Sequence, residues 1–377
     1  VAGAINVRVL IATVTAGGGH LQAAAALEEA WTALHPSDEI KRVDLLDLVP
    51  KLQRKVIAEG YVKLIAHAPG LYELFFNKTD DPKRLRKLGT FRRGFAEQTN
   101  RKFVRLVNQF APDVVLCTHF LPLEVLGAIK SRNDSSRPFV ACIVTDFEAH
   151  ALWIEPAVDL YCVAAEETQA RLITRQVDRE RVVVTGIPIG ARFSRPIDAA
   201  AVRRRYGLRD DLPTVLVLGG GFGMGPMAEI LVSLDEITRE FQTVVVAGRN
   251  ETLRRELAGQ DRRHPTHVLG FVSNMHEMMA VADLIISKPG GLTTSEALAL
   301  GKPLSILNPI PGQEAANSDF LLERGAAAKV NRVEDVPFRI DRLLGSAKLT
   351  EMAKSAQTLG RPKAAPAICA AVRTHVR

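Results

Sequence analysis

The stretch Val7-Arg-Val-Leu-Ile-Ala-Thr13, which runs on into Gly17-Gly-Gly-His20 and the Ala-rich segment Leu21–Leu34, decides the fold. A continuous aliphatic run reads as a strand covered on both faces, as in a parallel sheet. The glycines mark a tight turn, and the apolar spacing after them predicts an amphipathic helix. The same grammar restarts past mid-chain, where Val215–Leu218 enters Gly219-Gly220-Gly221-Phe222-Gly223. Buried-type strands are expected in the first half at Val114–Cys117, Phe139–Val144, Leu160–Val163 and Val182–Thr185. In the second half they are expected near Thr243–Val246, His267–Leu269, Leu284–Ile286, Leu304–Ile306 and Ala327–Val330. Strand–helix alternation that begins twice predicts an α/β protein with two facing Rossmann-like domains and a ligand in a deep cleft between them. The expected domains are residues 1–190 and 200–345, with C-terminal helices over 346–377 packing back on the first.

A chain of 377 residues is long enough for two cores. With 47% hydrophobic and 24% charged residues it is an ordinary globular sequence, and no apolar run approaches the roughly 18–20 residues that span a bilayer. The first residues carry no apolar signal core. Cys117, Cys142, Cys162 and Cys369 lack metal-ligand spacing and read as small buried hydrophobes of a reducing compartment. The expected location is therefore cytoplasmic. The formal net charge is +7, and the segment Lys78–Arg105 alone holds ten basic residues against three acidic ones. Within Pro50–Arg105 the strand pattern disappears. Tyr61, Leu64, Ile65, Leu71, Tyr72, Leu74, Phe75 and Phe76 there mix with Lys and Arg, a composition that suits an interfacial segment on an anionic membrane. Arg84, Arg86, Arg92 and Arg93 are its candidate membrane contacts. A helical insertion with a solvated basic face is the plainer reading.

Chemistry concentrates in the second half. Gly223-Met-Gly225-Pro-Met-Ala228 has the spacing of a dinucleotide turn, but the second strand ends Val246-Ala247-Gly248-Arg249, with no carboxylate for a ribose. A nicotinamide enzyme is thereby disfavoured. Ser287-Lys-Pro-Gly290-Gly291-Leu-Thr293-Thr-Ser-Glu296-Ala297 is more informative. A strand ends, glycines clear the backbone, and a helix start offers unpaired N–H groups to a diphosphate. Glu296 follows in the first turns, placed to accept hydrogen bonds from ribose hydroxyls. The proline-stiffened loop Asn308–Gly312 then delivers Gln313 and Glu314 together, a pair suited to vicinal sugar hydroxyls.

On these residues the chain resembles a family. Residues 213–345 look like the catalytic domain shared by the lipid II-forming N-acetylglucosaminyltransferase and the monogalactosyl/glucosyl-diacylglycerol synthases. Gly17–His20, Thr145-Asp-Phe-Glu-Ala-His150-Ala-Leu-Trp153, Thr185-Gly-Ile-Pro-Ile189, Lys288-Pro-Gly-Gly-Leu-Thr293 and Pro311-Gly-Gln-Glu314 are similar to the bacterial processive diacylglycerol glucosyltransferases. The resemblance implies a GT-B fold and inverting hexose transfer from UDP-glucose or UDP-galactose to a lipid such as diacylglycerol. It implies no metal or other cofactor, no nucleic-acid partner, and a peripheral place on the inner face of the cell membrane. By the same resemblance, Glu296 holds the ribose and Gln313 and Glu314 face the sugar. Gly18, Gly19 and the turn with Gly220 and Gly221 approach the diphosphate, as do Gly290, Gly291 and Thr293 at the second turn. Phe271 and Val272 lie by the uracil, and Arg249 and Asn250 near the phosphates. Gln22-Ala-Ala and Thr293-Thr-Ser depart from the family's usual pattern.

An inverting transfer needs a base for the acceptor hydroxyl and positive charge at the leaving diphosphate. His20 and Asp146 are the catalytic candidates. His150 and Trp153 are candidates for the acceptor side, and His119 is a further one. Two other classes stay open: another GT-B enzyme (a transferase for a different acceptor, or a UDP-sugar epimerase), and a non-catalytic lipid- or nucleic-acid-binding module.

Overall fold

The computed structural model describes residues 6–15, 18–49, 69–133, 138–219, 225–307 and 309–376. Gly17, Gly220, Gly221, Asn308, the part of the basic segment before residue 69, and the side chains of Leu71, Tyr72, Phe75 and Arg86 lie outside them. The chain forms two compact units, residues 1–191 with 311–313 and 363–377, and residues 192–310 with 314–362.

In the first unit, β1 (Arg8–Thr13), β2 (Glu39–Asp44), β3 (Val114–Cys117), β4 (Phe139–Ile143), β5 (Leu160–Val163) and β6 (Val182–Val184) form one parallel sheet in the order β2-β1-β3-β4-β5-β6. Its helices are α1 (Gly18–Leu34), α2 (Leu45–Leu48), α3 (Pro69–Thr79), α4 (Pro82–Lys87), α5 (Gly89–Thr99), α6 (Arg101–Phe110), α7 (Phe120–Asn133) and α8 (Glu166–Thr174). Strand β2 was not expected. Its sequence Glu-Ile-Lys-Arg-Val-Asp buries only Val43, because it sits at the sheet edge, where charged side chains are favoured over apolar ones.

The second unit contains β7 (Thr214–Leu218), β8 (Gln242–Val246), β9 (Thr266–Leu269), β10 (Leu284–Ser287), β11 (Leu304–Leu307) and β12 (Ala327–Val330). Their parallel order, β12-β11-β10-β7-β8-β9, is that of dinucleotide-binding sheets. The helices are α9 (Ala199–Tyr206), α10 (Met227–Asp235), α11 (Glu251–Ala258), α12 (Met275–Val281), α13 (Gly291–Ala299), α14 (Gln313–Glu323), α15 (Val336–Leu343) and α16 (Ala347–Leu359). The C-terminal helices divide between the units. Helix α16 packs on α13, and the approach is so close that a Cβ on Gly360 would meet the Leu298 carbonyl oxygen at 2.3 Å. The last helix, α17 (Ala364–Arg373), packs on α1, where Ile368, Cys369 and Val372 join Leu27 and Trp31 in one apolar layer.

Both sheets have apolar layers on their faces. Leu10, Ala12, Val115, Cys117, Val140 and Cys142 point to one side of the first sheet, and Val9, Ile11, Val114, Leu116, Ala141 and Ile143 to the other. All four cysteines are free and buried, and burial raises the pKa of each thiol. In each unit the strand order reverses direction at one place, between β1 and β3 and between β7 and β10. Loops leaving the carboxyl ends of such strand pairs diverge to opposite faces and open a crevice, which is where ligands of this fold class bind.

Candidate active site

At the first switch point, α1 starts beyond β1 and brings His20 against the loop that follows β3. His20 Nδ1 lies 2.7 Å from the Thr118 carbonyl oxygen and 3.1 Å from Thr145 Oγ1. A carbonyl only accepts, so Nδ1 carries the ring proton and Nε2 keeps its lone pair. Thr118 is itself fixed, because its hydroxyl bonds to Thr13 Oγ1 at 2.9 Å and to the His20 carbonyl at 3.1 Å. Burial pulls the His20 pKa down to about 4, against a smaller opposing effect of the Thr118 hydrogen bond. The ring is thus neutral over the working range, with one basic nitrogen in a set orientation.

His119 stands edge-on to His20, with ring centroids 4.8 Å apart. Its Nδ1 accepts the Leu121 N–H at 3.1 Å, and burial together with the neighbouring His20 lowers its pKa. Trp153 is buried and lies 6.4 Å from both imidazoles, closing the apolar side of this cluster. Asp146 is half-buried in the loop after β4, one residue past the Thr145 hydroxyl that meets the His20 ring.

His150 is buried, and both of its ring nitrogens are hydrogen-bonded. Nδ1 accepts the Leu152 N–H of its own loop at 3.1 Å, and Nε2 donates to the Phe76 carbonyl at 3.0 Å, which ties α3 to the loop before β5. Arg175 and Arg171 pair with Asp80 at the same junction. In the basic segment two of the four candidate arginines are paired. Arg92 pairs with Glu124 on α7, and Arg93 Nη1 bonds Glu155 Oε1 at 2.9 Å. Glu155 is 5% exposed, and burial raises its pKa while Arg93 draws it back. Gly127 makes room for this pair, since a Cβ there would meet Glu155 Oε1 at 2.6 Å. Helix α5 therefore buries Ala96, leaves Arg92 and Arg93 half-buried and turns Phe91 and Phe95 outward, 75% and 62% exposed. Leu74 and Leu88 are exposed too, as are the basic Lys83, Arg84 and Lys87.

At the second switch point, β10 leads through Lys288-Pro289 to Gly290, the extended N-cap of α13. No side chain caps this helix, and its first intrahelical bond runs from Thr294 N–H to the Gly290 carbonyl at 2.9 Å. The N–H groups of Gly291, Leu292 and Thr293 precede that bond and carry the positive end of the helix dipole. Gly225, φ +120°, borders the same crevice, since a Cβ on it would lie 4.0 Å from Lys288 Cε. Glu296 is half-buried on the next turn of α13. Burial pushes its pKa up to about 8, and Arg192 pulls only weakly the other way. Arg192 follows the Gly186–Gly190 stretch and is anchored by a 2.5 Å bond from Nη1 to the Ser273 carbonyl.

Arg249, after β8, lies over the exposed ring of Phe271, after β9, at 5.0 Å from its centroid. Its neighbour Asn250 caps α11, its Oδ1 accepting the Leu253 N–H at 3.0 Å. Gln313 and Glu314 open α14. Glu314 Oε2 accepts the Ile310 N–H at 2.8 Å, while a Cβ on Gly290 would stand 3.8 Å from Glu314 Oε1. Asn317 donates to the Pro289 carbonyl at 2.9 Å and so braces the turn before α13. Among the described residues no three His, Cys, Asp or Glu side chains converge on a metal position, and no helix is long and apolar enough to cross a membrane.

Sequence reading missed Thr118, Thr145 and Arg192. The two threonines carry no spacing signal, because their meeting with His20 depends on β1, β3 and β4 lying side by side. Arg192 follows a glycine–proline motif that does attract attention in the sequence.

Two family models match the chain, monogalactosyldiacylglycerol (MGDG) synthase over residues 20–189 and the glycosyltransferase family 28 C-terminal domain over residues 214–367. The processive diacylglycerol beta-glucosyltransferase of Bacillus cereus (strain ATCC 10987 / NRS 248) is 31% identical, covering 96% of this chain and 92% of that protein. The protein of the same description from Bacillus subtilis (strain 168) is 30% identical over 90% of this chain and 87% of its own. Among solved structures, Acinetobacter baumannii MurG has a TM-score of 0.62 at 18% identity, covering 98% of this chain and 99% of that one. The UDP co-structure of S. aureus MnaA has a TM-score of 0.62 at 15% identity, covering 98% and 96%. These two establish the fold as GT-B, with two Rossmann-like domains. By identity over nearly its whole length, the chain belongs to the diacylglycerol glycosyltransferases of the MGDG-synthase type, the family of the processive diacylglycerol beta-glucosyltransferases.

Proposed function

We propose that the protein is an inverting enzyme that moves a hexose from a UDP-sugar to diacylglycerol or its glycolipid at the cytoplasmic face of a membrane. The observation that carries this reading is the pair of switch points, one holding an imidazole oriented by Thr118 and Thr145 and the other an uncapped helix start with Glu296 on its next turn. In the second unit, the N–H groups of Gly291, Leu292 and Thr293 take the diphosphate. Glu296 accepts from the ribose hydroxyls, Phe271 and Val272 take the uracil, Arg249 over the Phe271 ring stands toward the phosphates, and Gln313 and Glu314 take the hexose.

In the first unit, His20 Nε2 receives the proton of the acceptor hydroxyl as its oxygen bonds to the anomeric carbon. The bond from that carbon to the diphosphate breaks, and UDP leaves with the electron pair. The helix dipole of α13 supplies the charge at the leaving group, so turnover is expected to survive chelation of divalent ions.

Support for the membrane comes from α5, which uses Arg92 and Arg93 in half-buried ion pairs and presents phenylalanines outward. Large exposed apolar side chains rimmed by Lys and Arg suit an anionic lipid interface. Incubation with UDP-glucose and diacylglycerol vesicles, followed by mass spectrometry, tests the reading. Hexosyl-diacylglycerol is the expected product. Sugar epimerisation without any lipid product would overturn it, and product from UDP-galactose alone would reassign the donor.

A further inference from the structure

The reaction proposed above uses one of the two imidazoles that meet beside β3 and leaves His119 without a task. His119 stands directly before α7, and its Nδ1 accepts the Leu121 N–H at 3.1 Å, which caps that helix. A cap alone is ordinarily supplied by Ser, Asp or Asn. Burial and the neighbouring His20 lower the His119 pKa well below the ordinary imidazole value, so the ring is neutral. With Nδ1 accepting, its one ring proton is on Nε2. Among the described residues that N–H has no hydrogen-bond partner, although His119 is only 7% exposed. Phe120 stacks on the ring with centroids 4.2 Å apart and Trp153 lies 6.4 Å away, so the orientation is held. His20 has the opposite arrangement, with the proton on Nδ1 and the lone pair on Nε2, and 4.8 Å separates the two ring centroids. The pair offers a hydrogen-bond acceptor and a donor side by side.

We propose that His119 determines acceptor specificity, its Nε2–H binding the sn-2 ester carbonyl of diacylglycerol while His20 Nε2 takes the proton of the neighbouring sn-3 hydroxyl. A glycerol diester carries these two groups on adjacent carbons, a hydroxyl to be deprotonated and a carbonyl that only accepts. That is the complement of the two imidazoles. A neutral imidazole at a helix start is a good donor to a carbonyl oxygen. An ether-linked lipid of the same size has no carbonyl and leaves the buried N–H unpaired, which weakens its binding. This role rests on the proposed transfer to diacylglycerol and adds the acyl ester as the group that the acceptor side recognises.

The test supplies the full chain with UDP-glucose and UDP-galactose and with phosphatidylcholine vesicles carrying either 1,2-dioleoylglycerol or its ether analogue 1,2-di-O-oleylglycerol, and compares kcat/KM. The wild type is expected to prefer the ester about tenfold. His119→Phe keeps an aromatic ring against Phe120 and removes the donor. It is expected to lose about tenfold more activity on the ester than on the ether, so that the preference disappears. His119→Gln, whose amide still donates, is expected to keep part of the preference. Equal losses on both lipids would make His119 a packing residue beside His20 and overturn its role in specificity. A wild type indifferent to the ester would overturn it too, and that comparison decides even where His119→Phe does not fold. A wild type that hexosylates neither lipid would overturn the proposed function, and this role with it.

Discussion

After β1 and β3, the polar groups of the first unit are already partnered. His20 Nδ1 meets Thr118 and Thr145, Thr118 meets Thr13, and His119 Nδ1 takes a backbone N–H. After β7 and β10, the second unit offers a helix start without a side-chain cap and a carboxyl group pushed up to about 8 by burial. Both places are desolvated, yet desolvation acts oppositely on a base and an acid, since it disfavours whichever form is charged. It keeps His20 neutral, the form a general base needs. It keeps Glu296 protonated, a form that hydrogen bonds from a ribose would reverse. A site that performs a proton transfer is best held rigid beforehand, whereas a binding site can leave groups unsatisfied until the ligand arrives.

The sharpest way to break this contrast is His20→Ala. Removing the proposed base is expected to lower kcat by about 10²–10⁴-fold while UDP affinity stays nearly unchanged. Comparable loss in both would place His20 in donor binding instead. Glu296→Ala should do the reverse, weakening UDP by about tenfold to a hundredfold in calorimetry, the range for hydrogen bonds to a charged group. Unchanged affinity would remove Glu296 from the ribose.

The two groups should also separate by pH. Below about 8 Glu296 is protonated in the free protein, and its ionised form is the better acceptor. Donor affinity is therefore full above pH 8 and weakens as pH falls through it. His20, with its pKa lowered to about 4, contributes no loss of kcat at saturating donor until pH nears that value. A kcat limb near the ordinary imidazole value that disappears in His20→Ala would contradict the assignment. The smallest effect is expected from Thr145→Val, which removes one hydroxyl from the ring's setting and should lower kcat about two- to tenfold with no change in donor affinity.

Much of this was legible in the sequence. The two strand–glycine–helix starts announce the double α/β plan, and eleven of the twelve strands among the described residues follow from aliphatic runs that a two-sided parallel sheet requires. The edge strand β2 escaped, because a strand covered on one side needs no such run. His20 and Glu296 stand beside glycine turns and so announce themselves. The partners of Arg92 and Arg93 do not, since Glu124 and Glu155 lie 32 and 62 positions away and only the fold brings them under α5. For the same reason the backbone hydrogen bonds of Asn250 and His150 are not visible in the sequence.

The most direct test of the contrast is proton release on binding UDP-glucose, measured by calorimetry at pH 7 in buffers of different ionisation enthalpy. The wild type and His20→Ala are each expected to release about one proton, because Glu296 begins protonated and ends as the acceptor of ribose hydrogen bonds. Glu296→Gln should release none. No release from the wild type, or release that vanishes with His20 and persists without Glu296, would contradict the account.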